Sequence, residues 1–339
     1  MKFRFVGVMA GMMLLFAFMI LLSLSWGQMP IPFSHVLDAL GELAGVAPAH
    51  GLTPNEAAVI WHIRLPRTLV ALLTGAGLAA AGAALQGLFA NPLADPAIIG
   101  VSSGASVGAI VAIASGLSAA TLFALPVCAL LGALLAVSLT IALAFRRGRI
   151  PVMTLLLAGV VVGMFLAAVS ALMLTAVSDN KLQEYLFWTI GGLDYRRWEH
   201  VWLGFFPIAI SVIVMCLLAR QLNILSLGEI EAKAVGLPVI RFRLLLLSLA
   251  ALATAAGVCI SGNIGFVGLV VPHMLRMLIG PDHRRLLPAS VFAGGLFLLF
   301  CDVLGRVLLA GAEIRVGIMT AFIGTPYFLY LLRKQQRME

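Results

Sequence analysis

Residues 152–177 read VMTLLLAGVVVGMFLAAVSALMLTAV, a run of 26 residues without a charged side chain. A helix of about 20 apolar residues spans the hydrocarbon core of a bilayer, so this run predicts a transmembrane helix. The chain contains at least nine such runs and a shorter tenth one that Pro272 interrupts. We place them at 5–25, 65–90, 97–116, 119–145, 152–177, 201–220, 244–262, 264–280, 287–310 and 314–332.

The composition of the whole chain is typical of an integral membrane protein. Of its 339 residues, 62% are hydrophobic and only 11% are charged, and the mean hydropathy is +1.10. Soluble domains carry about 25% charged residues, which excludes a water-soluble globular protein. The four cysteines lie inside apolar runs, where cysteine is typically a packing residue. We therefore predict an all-α polytopic membrane protein that forms a single domain over residues 1–339.

The basic residues predict the orientation of the spans. With the N-terminus inside, 15 of the 22 Lys and Arg residues fall on inner segments, as the positive-inside rule requires. An even number of spans then places both termini in the cytoplasm. All five Trp residues lie at outer ends of spans, where interfacial aromatic residues concentrate. The net charge of +8 thus reflects membrane topology, and no nucleic-acid partner is predicted.

Two connections predicted on the outer, periplasmic side are longer than a helix hairpin needs. In residues 27–63, the apolar spacing that starts at Phe33 predicts a short amphipathic helix on the membrane surface. In residues 178–200, Ser178 is expected to cap a short helix that Gly191 ends.

A third long connection, residues 221–243, is predicted on the cytoplasmic side. Ser226 is expected to cap a short helix with Glu229 at its third position, and Gly236 with Pro238 is expected to end it. A structured connection of this length exceeds the 2–8 residues that usually join helices in a bundle, which points to a purpose beyond reversal of the chain.

The sequence contains few motifs that indicate catalysis, nucleotide binding or metal binding. Asp302 and Arg306 are four residues apart and can form an ion pair on one helix face. The sequence has no Gly-x-x-x-x-Gly-Lys loop, no paired intramembrane carboxylates and no metal-ligand motif, so we predict no catalytic residue and no metal ligand. Two X-Pro steps, at Asn91 and Asp95, are expected to break the helix, and such non-helical backbone is tolerated only inside the protein or beside a water-filled cavity.

A weak internal similarity links GLAAAGAAL at 77–85 with ALATAAGVCI at 251–260. Each stretch precedes a segment rich in Gly or Pro, and the two lie five spans apart. This is the arrangement of an inverted repeat, which many transporters share. On these features alone a stand-alone secondary carrier or a channel stays open as an alternative, although the ionisable residues that ion coupling needs in mid-span are rare.

Seven motifs resemble, in order, the membrane-spanning permease subunits of the vitamin B12, iron–siderophore and haem ABC importers, the type II importers. They are RLPR at 64–67, GAALQGLF at 82–89, NPLADP at 91–96, GVSSGA at 100–105, LLLAG at 155–159, LGE at 227–229 and GNIGFVGLVVPH at 262–273.

The resemblance implies an importer in the bacterial cytoplasmic (inner) membrane. It implies a homodimer of ten-helix subunits, two ABC ATPase subunits on the cytoplasmic side and a substrate-binding protein on the outer side. ATP and Mg²⁺ would bind to the ATPases, so this chain is expected to be no enzyme and to carry no cofactor. A ferric siderophore or haem is the first expectation for the substrate, cobalamin is the alternative, and molybdate or another oxyanion is a weaker one.

The resemblance also implies roles for particular residues. Docking of the binding protein falls to Arg64, Arg67 and Arg306, and the cytoplasmic gate to Val152 and Met153. The segment 178–192 resembles a short helix that closes the outer mouth. The ATPase-coupling surface is expected at Leu227, Gly228, Glu229, Ala232, Val235 and Gly236. The chain departs from the family pattern at Arg315, where the family usually has proline.

Overall fold

The computed structural model describes residues 2–43, 45, 51–146, 148–309 and 311–336, most of which lie in helices. The terminal residues Met1 and 337–339 lie outside the described residues. Arg147 and Arg337, two of the basic residues assigned to the inner side, also lie outside them.

Ten apolar helices correspond to the ten predicted spans. They are numbered α1 (Lys2–Ser25), α2 (Leu65–Leu88), α3 (Val101–Ala114), α4 (Ala124–Ala144), α5 (Val152–Leu174), α6 (Trp198–Leu217), α7 (Val239–Ser261), α8 (Val267–Ile279), α9 (His283–Val307) and α10 (Val316–Gln336). Seven helices in the described part of the chain are long and apolar enough to cross a membrane, while α3, α8 and the apolar part of α10 are shorter. The prediction of an all-α polytopic fold is confirmed.

The two connections predicted on the outer side contain the short helices that the sequence predicts. They are Phe33–Leu43 and Asp179–Ile190, although the Ser178 side chain makes no capping hydrogen bond. The first connection is shorter than expected, because helix Pro54–Val59 and a π-helical turn at Ile60–Arg64 lead directly into α2.

Helix α2 lies at the centre of the bundle, where 18 of its 24 residues are buried. It packs against α6, α7, α8 and α9. Small residues make this possible, since a Cβ on Gly75 would collide with the backbone of Gly294 and one on Gly82 with the carbonyl oxygen of Gly268. In a membrane such close backbone approach is a main source of helix association.

The two halves of the chain repeat one order of helices. A long helix, a broken segment and a short helix follow each other as α2, residues 89–100 and α3, and again as α7, residues 262–266 and α8. The first broken segment holds the 3-10 helix Pro96–Ile99. The two stretches whose sequences resemble each other, 77–85 and 251–260, lie in α2 and α7, before these broken segments.

Candidate functional site

The predicted inner connection contains two short helices, Ala219–Leu225 and Glu229–Ala234. The prediction that Ser226 caps the second helix is wrong. Its hydroxyl instead donates 2.8 Å to the carbonyl oxygen of Asn223, at the end of the preceding helix. Gly228 occupies the capping position with φ of +133°, a conformation that favours glycine. The second helix ends as predicted before Gly236, whose φ is +81°.

The exposed apolar residues of this segment define its surface. Leu227 and Val235 are 73% and 67% exposed, in agreement with an expected contact surface, but Ala232 is fully buried and cannot contact a partner. The helix has only six residues, and Ala232 lies on the side of it that packs against the bundle core. Sequence analysis missed Ile230, which is 81% exposed. We call Leu227, Ile230 and Val235 the inner apolar patch.

Glu229 is the first residue of the second short helix, not the third as predicted, and it binds two cations. Its carboxylate accepts from Lys233 Nζ at 2.7 Å and from Arg243 Nη2 at 3.4 Å. The hydrogen bond from Lys233 is the largest of the interactions that lower the pKa of the Glu229 carboxyl. Glu229 is therefore ionised at neutral pH and joins its short helix to the start of α7.

Arg243 also connects the beginning of α7 to the beginning of α5. Its Nη1 atom donates 2.6 Å to the carbonyl oxygen of Ile150, and the Arg243 side chain is only 8% exposed. Ile150 directly precedes Pro151, which adjoins the first residue of α5, Val152. The expected gate residues Val152 and Met153 thus lie two and three positions from a carbonyl group that Arg243 holds.

Helix α5 presents an uncharged and largely apolar surface. Met153 is 69% exposed and Val152 is half-buried, and the exposed residues continue along the helix as Leu157, Val161, Met164, Phe165 and Leu172. Across the described length of α5, no side chain carries a charge. Such a surface can face lipid, a second copy of the chain or an apolar pathway.

The expected breaks at Asn91 and Asp95 are present. The Asn91 side chain accepts a hydrogen bond from Leu93 N at 2.9 Å, and the Asp95 side chain accepts one from Ala97 N at 2.7 Å. Both side chains replace backbone hydrogen bonds that the interrupted helix loses. A contribution of either residue to a pathway stays a prediction.

On the predicted outer side, Arg67 is the centre of an ion-pair network. It contacts Asp302 at 2.8 Å, Glu313 at 2.8 Å and Asp194 at 3.4 Å. Its side chain is 11% exposed. The network joins the outer ends of α2 and α9, the start of α10 and the connection before α6.

Arg64 and Arg306 lie deeper than an exposed docking surface would require. Arg64 donates to the carbonyl oxygens of Leu24, Ser25 and Met29. Arg306 forms the expected ion pair with Asp302, at 3.1 Å, and also donates to the carbonyl oxygen of Ser23. Of the three expected docking arginines, the structure therefore places only Arg67 at the edge of an open cavity.

That cavity has a volume of about 600 Å³ and lies on the predicted outer side. It brings together cations from several connections with two acidic residues. Its lining residues are Gln28, His62, Ile63, Arg67, Asp194, Tyr195, Arg196, Arg197, Gly311, Ala312, Glu313 and Arg315. Sequence analysis missed Asp194 and Tyr195, because their proximity to Arg67 depends on contacts between distant parts of the chain.

Arg315, the position at which the chain departs from the family pattern, anchors the outer helix Asp179–Ile190. Its Nη1 atom donates 3.1 Å to the carbonyl oxygen of Phe187, and its guanidinium carbon lies 4.4 Å from the centre of the Phe187 ring. It also lies 3.6 Å from Asp194. These contacts hold the outer helix against the start of α10.

Among the residues that the structure describes, no group of three His, Cys, Asp or Glu side chains is arranged to hold a metal ion. The four cysteines are buried or half-buried, and all are free thiols.

Comparisons with known proteins agree with this arrangement. The model of the FecCD transport family matches residues 14–334. The cobalamin import system permease protein BtuC of Halobacterium salinarum is 43% identical over 295 residues, 87% of this chain and 79% of that protein. The vitamin B12 import system permease protein BtuC of Citrobacter koseri is 40% identical over 86% of this chain and 88% of its own length.

A solved structure supports the fold independently. It is described as an inward-facing conformation of a metal-chelate type ABC transporter, and it matches with a TM-score of 0.85 at 34% identity. The match covers 97% of this chain and 99% of the other.

The fold and the comparisons define a multi-pass membrane permease. The chain belongs to the FecCD transport family, as its motifs indicated. It is a permease of an ATP-binding-cassette importer, a type of subunit that carries neither a catalytic centre nor a cofactor.

Proposed function

We propose that the chain is the permease subunit of a cobalamin importer. The single observation that carries this proposal is the identity of 39–43% to permeases named for cobalamin or vitamin B12 import, over 86–96% of this chain. The alternative from the sequence analysis is thereby preferred to its first expectation, a ferric siderophore or haem. A ferric chelate stays the second candidate, because the solved structure with the same fold is described as a metal-chelate transporter.

The uncharged surface of α5 suits a large chelate. A substrate that moves past Met153, Leu157 and Met164 meets apolar side chains that offer no charged binding site. Weak binding along the way allows the substrate to leave as easily as it enters. Two copies of the chain would place two such surfaces face to face, with the pathway at the axis of a homodimer.

The importer would contain two ABC ATPase subunits and a substrate-binding protein besides the permease dimer. The inner apolar patch, with Gly228, Glu229 and Gly236 beside it, is the proposed docking site for the ATPase. Its three apolar side chains are exposed enough to enter a cleft on a partner. We place this side in the cytoplasm and the protein in the bacterial cytoplasmic membrane, with both termini inside, in accord with the bias of basic residues.

The binding protein would dock on the outer side at the cavity around Arg67. An acidic side chain of the partner would compete with Glu313 for Nη1 of Arg67, because Glu313 is 25% exposed whereas Asp302 is buried. Arg64 and Arg306 would then act indirectly, by holding the backbone and Asp302 around Arg67. This assignment keeps all three arginines in the docking region and separates their tasks.

In the proposed cycle, ATP binding moves the two ATPases together and displaces the inner helices. The gate at Val152 and Met153 and the outer mouth beside Asp179–Ile190 then alternate, so that one is open to the substrate while the other is closed. Binding energy shifts the populations of the two states, and no covalent step occurs on this chain.

A complementation experiment tests the choice of substrate. The permease, its ATPase and its binding protein are expressed in one bacterial host that lacks its own cobalamin permease and in another that lacks its ferric-siderophore permease. We expect growth at limiting cobalamin to be restored and growth on the ferric siderophore to stay deficient. Restoration of the second host alone would assign the permease to iron uptake instead.

A further inference from the structure

Within the described part of the chain, Arg243 forms a side-chain bridge between the helix at Glu229–Ala234 and the residues that precede α5. One arm, Nη2, reaches Glu229 at 3.4 Å, and the other, Nη1, reaches the carbonyl oxygen of Ile150 at 2.6 Å. Glu229 and Ile150 are far apart in sequence and lie at opposite ends of this bridge. Glu229 belongs to the segment proposed to bind the ATPase, and Ile150 lies next to the proposed gate at Val152 and Met153.

The chemistry of arginine suits a connection of this kind. The guanidinium group is planar and rigid, so its two nitrogen arms cannot move independently of each other. Because Arg243 is buried, its hydrogen bond to Ile150 is shielded from water and from screening by salt, whereas Glu229, at 35% exposed, lies at the surface end of the bridge. A displacement of Glu229 therefore pulls on the same rigid group that holds Ile150.

The segment beyond Ile150 is also stiff. Pro151 has φ of −64° and precedes the first turn of α5, and its carbonyl oxygen accepts from Leu155 N at 3.0 Å. Proline fixes its own φ and restricts the residue before it, so a rotation of the Ile150 peptide passes into α5 rather than being absorbed in a flexible loop. Met153 lies in that first turn.

We propose that Arg243 is a positioning residue that transmits movement of the Glu229–Ala234 helix to the gate at the start of α5. This inference rests on the proposed function for the identity of the gate and of the ATPase-coupling helix. It adds the physical connection between them, which is one side chain on α7. The Lys233 ammonium competes for Glu229 from solvent, and Arg243 alone carries the contact inward to Ile150.

The test measures how the gate responds to nucleotide in the complete complex. Cys128, Cys216, Cys259 and Cys301 are replaced by alanine, Met153→Cys is introduced as a reporter, and the permease is assembled with its ATPase in nanodiscs. The rate of maleimide labelling at position 153 is compared with and without ATP and vanadate. Arg241→Gln is the matched control, since Arg241 is an exposed cation two positions away on the same helix.

The nucleotide response is the ratio between the labelling rates measured with and without ATP and vanadate. We expect this ratio to be the same in the parent and in the Arg241→Gln variant. Arg243→Gln should reduce that ratio by about tenfold or to unity, because hydrogen bonds of charged groups shift equilibria by at least that factor. Glu229→Gln should reduce it in part. The double variant should match Arg243→Gln alone, since both residues belong to one connection.

The Arg243→Lys variant distinguishes a specific loss of the nucleotide response from a general loss of folding. It keeps the charge but cannot reach both partners with two fixed arms, so it should assemble with the ATPase and still lose most of the nucleotide response. Normal responses in Arg243→Gln and Arg243→Lys would overturn the inference while leaving the proposed function intact. A parent whose labelling ignores nucleotide would overturn the gate assignment itself, and the inference with it.

Discussion

Arg67 and Asp302 are 235 residues apart in sequence and are joined by a two-armed ion pair, with Arg67 Nη2 and Nε at 2.8 Å and 3.0 Å from Asp302 Oδ1. Asp302 is 2% exposed and also holds Arg306 at 3.1 Å. A single buried carboxylate thus balances two cations at the outer ends of α2 and α9. The proposed docking region of the permease is built on this pair.

Removal of that carboxylate should be costly. We expect Asp302→Ala to lower the free energy of unfolding by about 3–5 kcal/mol, since it leaves the buried Arg306 without its carboxylate partner and removes the most buried of the three carboxylates that bind Arg67. Asp194→Ala is the control and should cost about 1 kcal/mol or less, because Asp194 is more exposed and lies 3.4 Å from Arg67. Denaturant titration of the purified permease measures both values, and equal losses would contradict this description of the network.

The crossing of α2 and α8 should tolerate no side chain at Gly82. A methyl group there would collide with the carbonyl oxygen of Gly268, so Gly82→Ala should cost about 1–3 kcal/mol or prevent folding. Gly163→Ala should be tolerated, since a Cβ at that position has only Ser103 Oγ nearby, at 3.4 Å. The yield of monodisperse protein after detergent extraction distinguishes the two, and similar yields would argue against close α2–α8 packing.

Glu313→Gln should strengthen docking of the binding protein. The substitution removes a negative charge 2.8 Å from Arg67 and leaves that arm available to an acidic partner side chain. We expect the affinity to rise severalfold and to depend more steeply on salt than in the parent. Surface plasmon resonance at two salt concentrations measures this. Weaker binding would mean that Glu313 itself contacts the partner.

Ile230→Asp should weaken binding of the ATPase without unfolding the permease. Ile230 is the most exposed residue of the inner apolar patch, at 81%, so the substitution costs little in the isolated chain but introduces a charge into the proposed contact. Co-purification with the ATPase should fall about tenfold or more. Lys233→Gln is the control and should retain the ATPase, and equal retention by both variants would move the docking site elsewhere.

Arg315→Pro, which introduces the residue usual in the family, should loosen the outer helix. It removes the hydrogen bond to Phe187, the contact with the Phe187 ring and the contact with Asp194. Amide hydrogen exchange over Asp179–Ile190 should increase while exchange in α7 stays unchanged. Unchanged exchange in the outer helix would show that the backbone around Gly191 is sufficient to hold it.

Much of this fold could be predicted from the sequence, because hydrophobic length alone defines a membrane-spanning helix. The ten spans, the breaks at Asn91 and Asp95 and the outer helix that ends at Gly191 follow from local signals. Short segments were predicted less well. The expected cap at Ser226 failed because the chain uses that hydroxyl to end the preceding helix, and both arrangements satisfy the same local preferences.

The site was less accessible to sequence reasoning, because burial and pairing depend on contacts between distant segments. Nothing near Arg64 or Arg306 in the sequence shows that each guanidinium bonds to the backbone at the end of α1. Equally, Ala232 and Ile230 are both apolar residues of one short helix, and only the packed structure shows that one is buried and the other exposed. Arg243 carried no signal beyond its charge.

The most direct test of the central claim is transport by the reconstituted complex. Proteoliposomes contain the permease with its ATPase, radiolabelled cobalamin is supplied on the binding protein from the outer side, and ATP is supplied on the ATPase side. Accumulation of cobalamin that requires ATP, the ATPase and the binding protein is the predicted result. Uptake that persists without the ATPase and follows an ion gradient would contradict it and would make the protein a secondary carrier.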